Sequence, residues 1–285
     1  MTRTLIISDL HLGRPRCAAP SARSLQPLWR DCTDVIVNGD AAELHHPKRW
    51  ARAAREILHL HDLCEKDNVN LTLLAGNHDP HISETRHLLL AGDSIFITHG
   101  DVFHPAIAPW SPNAARIREL HDEYLHTIPH QLRNDLETHL NVAQSASLAH
   151  WKELRTQAIH SSLRNMLIRP WCVPLVLWYW KKFPAYAATF AKTHAPSAKF
   201  VILGHTHRAS ISTHDDITVI NTGSFGFPGL PRGVLLDQHS LAVHPITYCK
   251  GEFRLGKTAI KTFTIAESSE RMTSPTEARL IGTSS

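Results

Sequence analysis

Five short polar segments limit what this chain can fold into: Asp9-Leu10-His11, Gly39-Asp40, Gly76-Asn77-His78-Asp79, His99-Gly100-Asp101 and Gly204-His205-Thr206-His207. Hydrophobic runs of β type lead into them, at Thr4 to Ser8, Val35 to Asn38, Val69 to Ala75, Ile95 to Thr98 and Phe200 to Leu203. Side chains at the ends of successive strands converge on one sheet edge, where open α/β folds bind ligands. Carboxylate, amide and imidazole groups together suit a divalent cation with oxygen and nitrogen ligands. Between Thr4 and Thr98 the β runs alternate with helical patterns. In Pro47 to Lys66 the apolar residues Trp50, Ala54, Ile57, Leu58 and Leu60 predict an amphipathic helix covering the sheet. Repeated strand–helix–strand order predicts a largely parallel sheet in a layered α/β fold.

From about Phe103 to Ser197 strand signals vanish. Pro112 to Arg169 reads as two or more helices, followed by the most hydrophobic patch of the chain, Trp171 to Phe183. The stretch 104–198 is therefore expected to be a helical insertion or cap. Short strands then resume at Phe200 to Leu203, Ile217 to Asn221, Gly233 to Leu236 and Leu241 to Tyr248, separated by Gly and Pro turns, which predicts a second, mostly antiparallel sheet. Residues 1–265 are read as one domain that includes the insertion, and 266–285, rich in Ser, Thr and Glu, as a disordered tail.

A net charge of +4 in 285 residues suits an anionic substrate or an acidic membrane surface and is too weak to imply nucleic acid. With 22 histidines in the chain, a single histidine carries little weight outside a motif. Cys17, Cys32, Cys64, Cys172 and Cys249 are scattered and odd in number, against a disulfide framework or a cysteine zinc site. No apolar run reaches the roughly 18 residues of a transmembrane helix, and no signal-peptide pattern opens the chain. The expected compartment is the cytoplasm, with peripheral contact at the inner face of the membrane as an adjunct.

The segments suit phosphate-ester hydrolysis, in which a nucleophile must approach an anion. Two divalent cations about 3.5–4 Å apart neutralise the phosphate and acidify a bound water. Asp9 and His11, two apart on an extended segment, point the same way and can share one ion. Asp40 is the natural bridge and Asn77 offers an amide oxygen. His99, His205 and His207 complete the set, while His78, on the turn after Asn77, can point at substrate. Metal identity is not readable from such ligands; manganese, iron and zinc all fit.

The ordered run D-x-H, G-D, G-N-H-D, H-G-D and G-H-T-H is similar to the calcineurin-like metallophosphoesterase family. The resemblance spans the first hundred residues and about forty around Gly204. It implies a four-layer α/β/β/α sandwich. It also implies Asp9, His11 and His207 on one metal, Asp40 bridging, and Asn77, His99 and His205 on the other. His78 would steady or protonate the leaving group, and Asp79 would orient His78. Val219 to Ser224 resembles the N-x-G-S turn that packs near the metals in that family.

Gly39-Asp40-Ala41-Ala42-Glu43, with Glu where many relatives have Asp, and the long insertion resemble bacterial UDP-2,3-diacylglucosamine pyrophosphatases, whose cap holds acyl chains. Those enzymes usually carry Arg where this chain has His78, a departure that bears on the substrate. The expected partner is a phosphorylated small molecule or a lipid-linked substrate. Trp171, Trp178, Tyr179 and Trp180 beside Lys181 and Lys182 read either as an interfacial anchor or as a buried cap helix. Arg14 and His104 are further candidates for binding substrate. A DNA nuclease would need a basic groove with aromatic platforms, but Lys152, Arg155, Arg164 and Arg169 are dispersed among acids and apolars. A non-catalytic scaffold would be expected to lack a ligand, and here every position is filled.

Overall fold

The computed structural model describes residues 2–15, 19–154, 172–226 and 229–265. The tail 266–285, Trp171, Arg155, Arg164 and Arg169 lie outside the described residues. The first sheet is built on β1 (Thr4–Ile7), β2 (Asp34–Asn38) and β3 (Asn70–Leu74), all parallel. The second contains β4 (His87–Leu90), β5 (Ile95–Thr98), β6 (Phe200–Leu203), β7 (Ser210–His214) and β8 (Ile217–Asn221) in the order β4-β5-β6-β8-β7.

The expectation of a separate antiparallel sheet from the C-terminal strands is not met. β6 and β8 run parallel to β5, with only β4 and β7 reversed at the edges. The strands β9 (Arg232–Leu236), β10 (Ser240–Cys249), β11 (Glu252–Leu255) and β12 (Lys261–Thr264) extend the first sheet, with β9 antiparallel to β1. The physical reason is burial. β1 is apolar on both faces and needs a neighbour on each side, and β9 supplies the second.

Alternation along the strands divides the core into layers. Leu5, Ile7, Val35 and Val37 face helix α1 (Trp50–Lys66) and the 3-10 helix Ala22–Trp29. Ile6 and Ile36 face the opposite way, against Ile97, Ile202 and Ile220 of the second sheet. The outer face of that sheet, Phe96, Val201, Leu203 and Val219, is covered by Tyr179, Phe183, Ala187, Ala188 and Ala191. Helix, sheet, sheet and helix thus stack in four layers, the α/β/β/α arrangement. In α1 the buried stripe is Ala53, Leu60 and Cys64; Trp50 and Leu58, expected to cover the sheet, face solvent.

Between β5 and β6 the described residues hold helices and turns: α2 (Ala114–Thr127), α3 (Leu136–Leu154) and α4 (Cys172–His194). The C-terminal half of α4 lies on the second sheet through its alanines. The aromatic run divides between two faces. Tyr179 is fully buried and Trp180 half-buried, whereas Val173, Leu175, Leu177 and Trp178 are exposed. Among the described residues no helix is long and apolar enough to cross a membrane.

The two sheets are tied at one end. Asn38, fully buried at the end of β2, donates from Nδ2 to the carbonyls of Thr98 (3.0 Å) and Ile202 (3.2 Å) in β5 and β6. Because β1, β2, β3, β5, β6 and β8 meet only parallel partners within this set, each sheet gathers its C-terminal strand ends on one edge. Asn38 brings those two edges together. Asn38→Ala should lower the unfolding free energy by about 1–3 kcal/mol, the cost of leaving buried carbonyls unpaired, as measured by denaturant titration.

Candidate metal centre

The backbone turns sharply where the strands end. Asp9, His11, Asp40, His205 and His207 all have positive φ, between 48° and 66°. Asp9 and His11, expected on an extended segment, are instead left-handed, because β1 stops at Ile7 and the chain coils over Gly39 and Asp40. Asp and His tolerate this conformation better than most side chains, and such strain gathers at functional sites. The coil still brings the groups together: ligand atoms of Asp9, His11, Asp40 and His207 all lie within 4.8 Å of one another.

Neighbouring glycines permit the close approach. A Cβ on Gly204 would overlap Asp9 Oδ2 and Ser8 Oγ, and one on Gly39 would run into the His99 ring. Ser8 Oγ donates to Asp9 Oδ2 and lies 2.6 Å from Thr222 Oγ1, which brings the Asn221-Thr222-Gly223-Ser224 turn under the site. Asn221 Nδ2 holds the Gly204 carbonyl at 2.8 Å, and the His205 N–H donates to Asp9.

Three imidazoles are arranged with one nitrogen committed to the protein. His11 Nδ1 donates to Glu43 Oε1 (3.0 Å), so its Nε2 lone pair faces His207 Nε2 (2.9 Å), Asp40 (3.8 Å) and Asp9 (4.0 Å). Burial, with Arg14 nearby, pushes His11 down to about 4 and keeps the ring neutral. His99 Nδ1 donates to the Asn38 carbonyl (3.0 Å), leaving buried Nε2 without a hydrogen bond, 3.4 Å from Asp40 Oδ2. Burial pulls His99 down, but the Asp40 and Asp9 charges outweigh it and hold the ring well above the usual imidazole value. His205 faces two carbonyl oxygens, Asn77 Oδ1 from Nδ1 (3.0 Å) and Ile107 O from Nε2 (2.9 Å). Burial pushes it down to about 4, and a neutral ring can donate to only one of them.

The His11 and His207 Nε2 atoms lie 2.9 Å apart, and His205 has two acceptor oxygens for one ring proton, so a cation among these groups would satisfy lone pairs that the protein alone does not. The residues therefore fit divalent metal. Asp9, His11, Asp40 and His207 lie close enough to share a cation. Beside them His99 Nε2 lies 3.4 Å from Asp40 Oδ2, His205 Nδ1 lies 3.0 Å from Asn77 Oδ1, and the His99 and His205 rings are 5.3 Å apart.

The structure reassigns one carboxylate. Asp79, expected to orient His78, spends its oxygens on the backbone N–H groups of Asp40 (3.1 Å), Ala42 (3.0 Å) and Gly76 (2.9 Å). It pins the two ligand loops together, and burial, with Asp40 beside it, lifts it to about 7. The carboxylate beside His78 Nδ1 is Glu43, at 3.4 Å. Burial works to raise Glu43, yet the charges of His78 and Arg14 hold it well below the usual carboxylate range. In the sequence, Glu43 stands out as the Glu that ends the Gly39-Asp40-Ala41-Ala42-Glu43 segment, but nothing there ties it to His11 or His78.

Arg14 pairs with Glu43 (2.6 Å) and keeps part of its side chain exposed. His104 Nδ1 accepts the Ala106 N–H (3.1 Å), and its ring meets Tyr179 edge-on. Its carbonyl accepts the Ile107 N–H (2.7 Å), in the turn that delivers the Ile107 carbonyl to His205.

Residues 134–240 match the family model described as the calcineurin-like phosphoesterase superfamily domain. That stretch includes Gly204 to His207 and the Asn221 turn. No match was found among curated proteins. Solved structures similar to this chain include a dimetal phosphatase from Danio rerio (12% identity, 94% of this chain and 99% of that one, TM-score 0.47). A second is Vps29 from Chaetomium thermophilum (12% identity, 93% and 100%, TM-score 0.46). A third, from Streptococcus pneumoniae, is described as a predicted phosphoesterase (15% identity, 92% and 97%, TM-score 0.38).

Two variants test the centre. Gly204→Ala should abolish divalent-cation binding while leaving the far-ultraviolet circular dichroism unchanged. Glu43→Ala frees His11 Nδ1 and should weaken cation affinity about 10- to 100-fold, read by calorimetric titration.

Proposed function

We propose that this protein hydrolyses phosphoester or pyrophosphate bonds with a pair of divalent cations. The observation that carries the reading is the set of buried imidazoles whose Nδ1 or Nε2 is committed to a protein acceptor while the other nitrogen faces Asp9, Asp40 or Asn77. Asp9, His11, Asp40 and His207 would hold one cation and Asp40, Asn77, His99 and His205 the other. Bound there, the cations neutralise the phosphate and lower the pKa of water to make a nucleophile.

The chain's own groups supply the rest. His78 lies at the cluster, its ring 4.9 Å from that of His11, and its backbone N–H donates to Asp40 Oδ1 (2.8 Å). Burial works to lower His78, but the Glu43 and Asp40 charges win and raise it, so the ring can hand a proton to the leaving oxygen. Arg14, paired with Glu43, stands ready to bind a phosphate oxygen as a charged fork.

We infer further that the substrate carries an apolar portion, as a UDP-sugar lipid does. What supports this is the exposed face of α4, where Leu177 and Trp178 stand beside Lys181 and Lys182. The same face would make a peripheral contact with an anionic membrane.

Protein stripped of metal and reconstituted with manganese, iron or zinc should hydrolyse members of a panel running from p-nitrophenyl phosphates to UDP-diacylglucosamine. Asp40→Ala should abolish turnover. His78→Ala should reduce it by about 10²- to 10⁴-fold, the usual contribution of a general acid, with both cations retained. Trp178→Asp should depress turnover of lipid-bearing substrates and spare the p-nitrophenyl esters. Equal turnover of both substrate classes by wild type and Trp178→Asp would remove the apolar portion from the proposal.

A further inference from the structure

The two halves of the metal centre are supported by different parts of the fold. Asp9, His11 and Asp40, together with His99 of the other half, are fixed by Ser8, Glu43, Asn38 and the backbone of the strand-end loops, all within the sandwich. The Asn77 and His205 half also leans on the helical insertion. The Asn77 carbonyl accepts from Trp151 Nε1 (2.7 Å) and from Ser147 Oγ (2.9 Å), both on α3. Gln144, one turn earlier, donates to the Pro80 carbonyl. His205 Nε2 is held by the Ile107 carbonyl, and Trp180 Nε1 on α4 donates to the Thr206 carbonyl (3.0 Å).

Trp151 and Ser147 are buried. The Trp151 ring also lies edge-on to His78, with centroids 5.4 Å apart. One indole thus touches both the backbone of a candidate ligand and the ring assigned to the leaving group.

We propose that Trp151 and Ser147 are positioning residues through which the cap sets the affinity of one cation position, the one held by Asn77 and His205. This rests on the dinuclear reading above. The Asp9, His11 and His207 side chains take no hydrogen bond from Trp151 or Ser147, so the two positions differ in what supports them and the two cations bind with unequal strength.

The test is calorimetric titration of manganese into the metal-stripped full-length protein, with electron paramagnetic resonance of the loaded sample. Trp151→Phe keeps the ring and removes only the N–H donor, and Ser147→Ala removes the second donor. Wild type should show two binding events and the spectrum of an interacting manganese pair. Each variant should keep the tighter event and weaken the other by about 10-fold or more, the usual effect of losing a support behind a ligand. At limiting manganese the variant spectrum should become that of an isolated ion. Two events of wild-type strength in both variants, or equal weakening of both events, overturns the role of the cap and leaves the hydrolase reading intact. Wild type that binds no manganese overturns the hydrolase reading, and this inference with it.

Discussion

The buried amide of Asn38 ties the two sheets of this molecule together at the edge that carries the site. Asn38 Nδ2 donates across the interlayer space to the carbonyls of Thr98 and Ile202, and the Asn38 backbone carbonyl accepts from His99 Nδ1. Inside a protein such bonds are strong, and leaving any partner unpaired is expensive. The tie therefore fixes where the C-terminal ends of β2, β5 and β6 lie relative to one another. Asp40, His99 and His205 follow directly from those ends. The metal centre is in this sense a consequence of sheet register: shift either sheet, and the carboxylate of one and the imidazoles of the other no longer meet.

Bringing the groups that close has an energetic cost. Five non-glycine residues of the centre are left-handed, at about 1–3 kcal/mol each. Two carboxylates, Asp9 and Asp40, are also buried side by side. Burial works to raise both, yet imidazoles around them hold both below the usual carboxylate value. The opposition is met locally, by Ser8 and the His205 N–H on Asp9 and by the His78 N–H on Asp40. A divalent cation would relieve the rest, since it attracts the carboxylates and the bare imidazole nitrogens at once. Cation binding is accordingly expected to stabilise the fold as well as to equip it for chemistry.

The parts of this architecture legible in the sequence were those encoded locally. Val35-Ile36-Val37 before Asn38-Gly39 announces a buried strand and its end, and the spacing of His205 and His207 announces a shared turn. What depended on distant pairing was hidden. β9 joins β1 across more than two hundred residues, so no local pattern shows that the C-terminal strands belong to two sheets. The edge strands β7 and β12, read as Ser-Ile-Ser-Thr-His and Lys-Thr-Phe-Thr, lack an apolar run to reveal them. The partners of the carboxylates were hidden for the same reason. Glu43 reaches His11 and His78 only because the chain coils after β1 and β3, and Trp151 looks like any apolar residue of an amphipathic helix until α3 meets Asn77.

The proposed function would rest on Asp9, His11, Asp40 and His207 for one cation and on the meeting of Asn77 with the cap for the other, with the His78 ring beside His11. The most direct test of that arrangement is an anomalous-difference map from crystals of the full chain grown with manganese. The account predicts two peaks sharing Asp40, one beside His11 and His207 and one beside Asn77, His99 and His205. A map with no peak at Asp40, or with manganese bound only elsewhere on the molecule, would contradict it.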